Sequence, residues 1–268
     1  MQQVRFAPSP TGLLHLGHVY SALYAWHACG KSPKHFHLRI DDLDHTRCRD
    51  HFIDAHITDL QWLGISWANT PLRQSNRLNR YQQALKSLQE RNLIYPCFLS
   101  RKELNEILSA PQETGRLKTA LPDDEKTKRE AQGNQPAWRL DIERIKKDLP
   151  ELRWHDQQKG TQIIDIEMMA DVVIARRDIG ASYHLSVVLD DYDSGITLVT
   201  RGHDLFDQTA IHRLLQHLLD LPTPLYDHHA LITDEAGKRL AKRDDARSLS
   251  HYRETGLTRD DILAMLPF

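Results

Sequence analysis

The chain has 268 residues, 40% hydrophobic and 27% charged, which fits a folded globular protein and excludes disordered, collagenous and membrane classes. Its 35 Lys plus Arg against 37 Asp plus Glu give a net charge of −2, so a uniformly basic nucleic-acid surface is excluded while a local basic face is not. No run of about 18 apolar residues occurs, the N-terminus lacks the apolar core of a secretory signal, and three widely spaced cysteines (Cys29, Cys48, Cys97) predict a reducing cytoplasm.

Residues 4–7 form a short apolar entry, read as a strand, and Pro8-Ser9-Pro10-Thr11-Gly12 is a turn cluster that stops it. Leu16, Val19, Tyr20 and Leu23 then fall on one face of a helix that Gly30 can close. Residues 35–40 alternate as a second strand, and the acidic turn Asp41-Asp42-Leu43-Asp44 follows. Ile53, Ile57 and Leu60 give another helical stripe, as do Tyr81, Ala84, Leu85 and Leu88. Strand alternating with helix predicts a parallel sheet with crossover helices. Between 110 and 135 the pattern fails, and this charged, Pro- and Gly-bearing run reads as an exposed loop. Residues 138–141, 171–174, 183–191 and 196–201 read as further strands. Ile211, Leu214, Leu215 and Leu218 mark a helix, and Thr258 with Asp261 predicts a capping box on a last short one.

The densest chemical signal is the turn that hands into the first helix. His15 and His18, three residues apart, fall on one side of its first turn. Unpaired helix N–H groups and two imidazoles converge there on a candidate phosphate site. Gly17 between them removes a side chain where a flat base could approach.

Arg5-Phe6-Ala7-Pro8-Ser9-Pro10-Thr11-Gly12 with His15-Leu16-Gly17-His18 resembles the RFAPSPTG…HIGH opening of glutamyl-tRNA synthetases and their relatives, class I aminoacyl-tRNA synthetases. Further blocks extend the resemblance: Leu38-Arg39-Ile40-Asp41-Asp42-Leu43-Asp44 with Arg47, Tyr95-Pro96-Cys97 with Ser100-Arg101, and Tyr183-His184-Leu185 with residues 187–191. Val199-Thr200-Arg201-Gly202-His203-Asp204 and Lys238-Arg239-Leu240-Ala241-Lys242-Arg243 complete it. The resemblance implies an α/β fold: a Rossmann-like parallel sheet (1–94 and 166–220), an inserted α+β subdomain (95–165), and a C-terminal extension (221–268) carrying a KMSKS-like loop. The chain stops 25 residues after Arg243. No anticodon-binding domain is therefore expected, and the chain resembles the truncated branch of the family, in which glutamate is attached to the queuosine base of tRNA(Asp).

The resemblance implies ATP and glutamate as substrates, Mg²⁺, a queuosine-bearing tRNA(Asp) as partner, no membrane, and a monomer. His15, Gly17, His18, Arg239 and Lys242 are the expected ATP-binding residues, with His15, His18 and Lys242 catalytic. Arg239 and Ala241 stand where the family has lysine and serine. Arg5, Phe6, Ala7, Pro8, Ser9, Asp41, Tyr183 and Arg201 are expected around glutamate, with Arg201 reading the side-chain carboxylate. Two carboxylates and one ammonium in a partly dry site need two cations and one anion. Asp41, expected on the ammonium, is one methylene shorter than the family's glutamate. Relatives of the truncated type hold zinc through a CxC pair, but Leu99 replaces the second cysteine here. No structural zinc is expected; apolar packing is to hold the insert. The competing expectations are a catalytically silent synthetase-like module, or a paralogue with a different acceptor.

Overall fold

The computed structural model describes residues 1–109, 121–232 and 248–268, apart from the side chains of residues 101, 108 and 109. Strand β1 (Val4–Phe6) leads into helix α1 (Leu16–Ala28), then β2 (Phe36–Ile40), α2 (Asp50–Trp62), β3 (Leu72–Arg73) and α3 (Leu78–Glu90). Gly30, at φ +67°, ends α1 in the left-handed conformation that glycine adopts freely. All four apolar residues of the α3 stripe are buried.

Strand β4 (Ile94–Cys97) and helix α4 (Arg101–Ser109) precede α5 (Asp123–Ala131), β5 (Ala137–Leu140) and the short α6 (Ile142–Ile145). The hairpin β6 (Arg153–Asp156) and β7 (Gly160–Ile163) leads to β8 (Val173–Ala175) and α7 (Tyr183–Asp193). Strand β9 (Leu198–Gly202), helix α8 (Thr209–Leu218), strand β10 (Leu225–His229) and helices α9 (Leu249–Glu254) and α10 (Arg259–Ala264) complete the order. Thr258 and Asp261 make the expected capping box on α10.

Three parallel strands run β1-β2-β3, and a second group runs β7-β6-β10-β9, parallel except for the β6–β7 hairpin. The two groups adjoin where the Gln3 carbonyl accepts from the Thr197 and Leu198 N–H groups. The result is the predicted parallel α/β sheet, with β1 and β9 central. A separate antiparallel sheet runs β4-β5-β8. Strand pairing draws other boundaries than the expected 95–165 and 221–268: β6 and β7 lie on the main sheet through β10, whereas β8 joins the separate one.

Two readings from periodicity are corrected. Residues 183–191 form helix α7, not a strand; every residue from Leu185 to Asp191 is buried, the polar Ser186, Asp190 and Asp191 included, so no exposed polar face marks the helical period. Ser182 caps it, its hydroxyl accepting from the Leu185 N–H. Residues 123–131, inside the expected loop, form α5 with no buried residue. Acids fill its first turn and Lys128 and Arg129 its last, matching the helix dipole. Arg129 anchors it by an ion pair to Glu103 of α4 (2.6 Å) and pairs within the helix with Glu125 (2.9 Å). Cys97 packs with Tyr95 and Leu99 in a small apolar cluster joined by Leu104, Ile107 and Leu121.

Asp59 of α2 is 1% exposed, and neither carboxylate oxygen has a hydrogen-bond partner among the described residues. Arg253 of α9 lies 3.3 Å from Oδ1, close enough for charge attraction but not aligned for a hydrogen bond. Burial pushes the Asp59 carboxyl up to about 6, against the pull of Arg253. Because the folded value exceeds the unfolded one, stability from the protonated form is complete below about pH 4 and falls as pH rises toward 6, by about 3 kcal/mol. Asp59→Asn is expected to remove that part of the fall, seen as a smaller difference in urea midpoint between pH 4 and pH 7. Equal differences in the variant and the unaltered chain would refute it.

Candidate active site

A cleft of about 340 Å³ opens at the carboxyl ends of β1, β2, β9 and β10, where open parallel sheets present their loops to ligands. Arg5, Phe6, Ala7, Pro8, Ser9, His15, Gly17, His18, Asp41, Tyr183 and Arg201 all line it. All the residues expected at the two substrates therefore meet in one place, except Arg239 and Lys242, which lie outside the described residues. Their nearest described neighbours flank the cleft: Ile232 lines it, and Ser248 forms an antiparallel bridge with His15.

The start of α1 fixes both imidazoles through backbone groups. His15 is the N-cap, and its Nδ1 accepts from the Gly17 N–H at 3.1 Å. His18 Nδ1 accepts from the His15 N–H at 3.3 Å, so the pair makes a capping box from two histidines. A nitrogen that accepts an N–H bond carries no proton, so each ring holds its proton on Nε2. The rings sit 3.8 Å apart, tilted by 30°.

Arg5 and Arg39, both buried, share one carboxylate. Asp191 Oδ1 accepts from Arg5 Nε at 3.0 Å and from Arg39 Nη1 at 2.5 Å. Burial alone would raise the Asp191 carboxyl, but the two guanidiniums outweigh it and hold it below the ordinary carboxylate value. Arg5 Nη1 also donates to the Thr200 carbonyl at 2.9 Å, tying β1 to β9. Arg39 turns its remaining donors on Asp41, at 2.7 and 3.3 Å. Burial raises the Asp41 carboxyl despite that pairing. Asp41 therefore lines the cleft as expected, but already paired with Arg39, a partner that the sequence reading did not assign.

Arg201 is set differently. It is 6% exposed, and no carboxylate pairs with it among the described residues. Its Nε donates to His228 Nε2 (3.0 Å), its Nη1 to His212 Nδ1 (3.1 Å) and its Nη2 to the Thr209 hydroxyl (2.5 Å). Strands β9 and β10 bring Arg201 and His228 into register, and α8 supplies Thr209 and His212. Guanidinium only donates, so both imidazole nitrogens facing it are lone pairs. His228 therefore holds its proton on Nδ1, 2.6 Å from the Asp156 carboxylate. His212 holds its proton on Nε2, donating to His184 Nδ1 at 3.1 Å. Burial, assisted by the Arg201 charge, lowers all three imidazoles, His184 and His228 to about 4.

Within this cluster three guanidiniums (Arg5, Arg39, Arg201) meet three carboxylates, Asp41 and Asp191 directly on Arg5 and Arg39, and Asp156 only through the His228 ring, so Arg201 is the one guanidinium with no carboxylate in direct contact among the described residues. Asp204, at the rim, is exposed. A Cβ on Gly202 would lie 2.5 Å from Asp204 Oδ1 and 2.8 Å from Leu231 Cδ2, so a larger residue here requires those two side chains to move. Among the described residues no group of three or more His, Cys, Asp or Glu side chains is arranged to hold a metal ion, so the Mg²⁺ expected from the resemblance has no protein cage there.

Sequence reasoning named Arg5 and Arg201 but missed Arg39, Asp191, Thr209, His212 and His228. Arg39 and Asp191 sit inside the motif blocks, which was the available signal. His212 and His228 carried none.

The model for "tRNA synthetases class I (E and Q), catalytic domain" matches residues 2–267. The chain is 44% identical to the glutamyl-Q tRNA(Asp) synthetase of Rhodobacter capsulatus, over 98% of each chain. It is 36% identical to glutamate–tRNA ligase 2 of Bartonella tribocorum, over 96% of this chain and 58% of that one. A crystal structure of a glutamate tRNA ligase from Elizabethkingia meningosepticum with its amino acid superposes with a TM-score of 0.75 at 27% identity, over 95% of this chain and 53% of that chain. This chain thus spans nearly all of the first protein and little more than half of the other two.

Replacing Asp191 by Asn leaves Arg5 and Arg39 buried without their shared anion. The expected loss is about 3–5 kcal/mol of stability at neutral pH. Because the folded carboxyl lies below its unfolded value, its contribution is present above about pH 4 and disappears as pH falls further. Urea unfolding should therefore show a large gap between Asp191→Asn and the unaltered chain at pH 7 and a smaller one at pH 3. A gap that is constant with pH would refute this.

Proposed function

The chain belongs to the family of class I tRNA synthetases for glutamate and glutamine, and from that premise we propose that it activates glutamate with ATP, without tRNA, and transfers it to the queuosine base of tRNA(Asp). It is a ligase by its family. The observation that carries the choice of amino acid is Arg201, a buried cation at the cleft whose direct partners are all neutral. Glutamate brings a net charge of −1, whereas glutamine brings none. The Rhodobacter capsulatus relative, matched over nearly its whole length, supports the queuosine acceptor.

In the first step a glutamate carboxylate oxygen attacks the α-phosphorus of ATP in line. One P–O bond forms, the bond to the bridging oxygen breaks, and pyrophosphate leaves, giving glutamyl adenylate. Such a transfer needs positioning and charge neutralisation more than covalent help. His15 and His18, with protons on Nε2, supply donors to the phosphate, and Gly17 leaves room for the nucleotide. Lys242, assisted by Arg239, is proposed to neutralise charge on the leaving pyrophosphate. Arg5 takes the amino-acid carboxylate region, and Arg201 the side-chain carboxylate. Tyr183, Ser9 and the Phe6-Ala7-Pro8 turn frame the amino-acid end, with Asp41 on the ammonium beside Arg39. In the second step a queuosine hydroxyl attacks the adenylate carbonyl, forming the ester and releasing AMP.

Two measurements test this. Glutamate-dependent ATP–pyrophosphate exchange should proceed without tRNA, and Arg201→Ala should lower its kcat/KM on the order of 1000-fold, through loss of a desolvated charge pair. Labelled glutamate should then appear on queuosine-bearing tRNA(Asp) and not on the unmodified tRNA. Equal labelling of both would overturn the acceptor, and exchange absent altogether would favour a silent module.

A further inference from the structure

Arg201 could have been paired with a carboxylate, as Arg5 and Arg39 are. Instead two imidazoles and a hydroxyl hold it, and each of those imidazoles is fixed in one tautomer by a further partner. His228 is held from behind by Asp156, which is fully buried, and His212 by His184. Asp156 thus stabilises the orientation of His228 from the far side of the ring, while only lone pairs reach the guanidinium. His212 and Thr209 come from α8 and His228 from β10, so separate elements converge on one cation. The Tyr226 ring also lies 5.6 Å from the guanidinium carbon, adding a neutral face.

A buried guanidinium needs its N–H donors satisfied, but a carboxylate that satisfied them would cancel the charge a ligand is to meet. Neutral acceptors resolve the conflict. They orient the fork and leave its charge for whatever enters the cleft. Burial and the nearby cation disfavour a second positive charge on these rings, which keeps their lone pairs available.

We propose that His212 and His228 are positioning residues that orient Arg201 without placing a carboxylate against its guanidinium, and that they thereby set the preference of this cleft for a carboxylate side chain over its amide. The inference rests on the reading of glutamate as the amino-acid substrate. It assigns the discrimination to charge-neutral partners of Arg201, not to the arginine alone.

The test uses the full chain and two matched pairs of variants. His212→Asn keeps an acceptor near the place of Nδ1, and His212→Asp places an anion there. His228→Gln and His228→Glu repeat the comparison near the place of Nε2. Glutamate-dependent ATP–pyrophosphate exchange is measured for each, with glutamine as the competing amino acid. The amide variants are expected to keep the KM for glutamate within about 5-fold of the unaltered chain. The acid variants are expected to raise it on the order of 100-fold, while the KM for ATP moves by less than about 3-fold and the preference over glutamine narrows. Acid and amide variants with equal KM for glutamate overturn the proposal, because a cradle that only fills space treats them alike. Should thermal melting show that the acid variants do not fold, His212→Ala decides: a rise of about 10-fold in the KM for glutamate, partly restored in His212→Asn, supports the proposal, and no rise overturns it. An unaltered chain without glutamate-dependent exchange overturns the functional reading and this inference together. Active chains with matched variants alike overturn this inference alone.

Discussion

Removing a guanidinium from water costs several kcal/mol even after local relaxation, and a protein usually offsets that cost with a carboxylate. Arg201 is buried without one, and much of the surrounding structure is arranged to tolerate it. Strand β10 must lie beside β9 in the register that faces His228 to Arg201. Helix α8 must present Thr209 and His212 to the same point, and β6 must bring Asp156 behind His228. The hairpin on the far edge of the sheet thus has a part in the cleft that its position alone does not suggest.

The two groups of arginines divide the work. Arg5 and Arg39 alternate with Asp191 and Asp41, so their charges close within the protein and tie β1, β2, β9 and α7 into one frame. That frame is neutral and resists distortion, since breaking any one pair strands a buried charge. Arg201 stands outside it, with its carboxylate, Asp156, held one imidazole away. A site built this way presents a rigid, matched background against which one guanidinium with no carboxylate in contact selects the ligand. The selection is electrostatic first and geometric second, which suits a choice between a carboxylate and an amide of nearly the same shape.

Features set by near neighbours in the chain were legible in the sequence. The stripe of α3, the capping box of Thr258 with Asp261, the glycine that ends α1 and the placing of His15 and His18 at a helix start all depend on residues within a turn of one another. Helix α7 was misread because its burial on nearly every side removes the polar face on which periodicity depends. Helix α5 was missed because it buries nothing; end charges and ion pairs to Glu103 and Glu125 hold it, and the first of these partners lies across a sequence gap. The partners of Arg201 were illegible for a third reason. His228 and Asp156 meet across 72 positions of sequence, through a strand pairing that no local pattern announces. Among sixteen histidines, nothing in the chain marked His212 and His228.

The nucleotide and amino-acid halves of the cleft are joined by the turn between β1 and α1. Arg5, near the end of β1, belongs to the charged frame, and ten residues later His15 caps α1 with its ring. The same backbone therefore fixes the distance between the proposed carboxylate-binding end and the proposed phosphate donors. His15 and His18 spend their Nδ1 lone pairs on that backbone, so neither ring can rotate to offer a different nitrogen without exposing a helix N–H. Near the C-terminus Ser248 pairs with His15, and the Leu249 N–H donates to the Leu14 carbonyl at 2.7 Å, which ties α9 to the start of α1. In-line transfer demands that attacking oxygen, phosphorus and leaving oxygen be aligned, and a misplacement of about 1 Å can cost about 100-fold in rate. A single short turn, gripped by a buried ion cluster at one end and by a helix cap at the other, is a direct way for a chain of this size to hold that alignment.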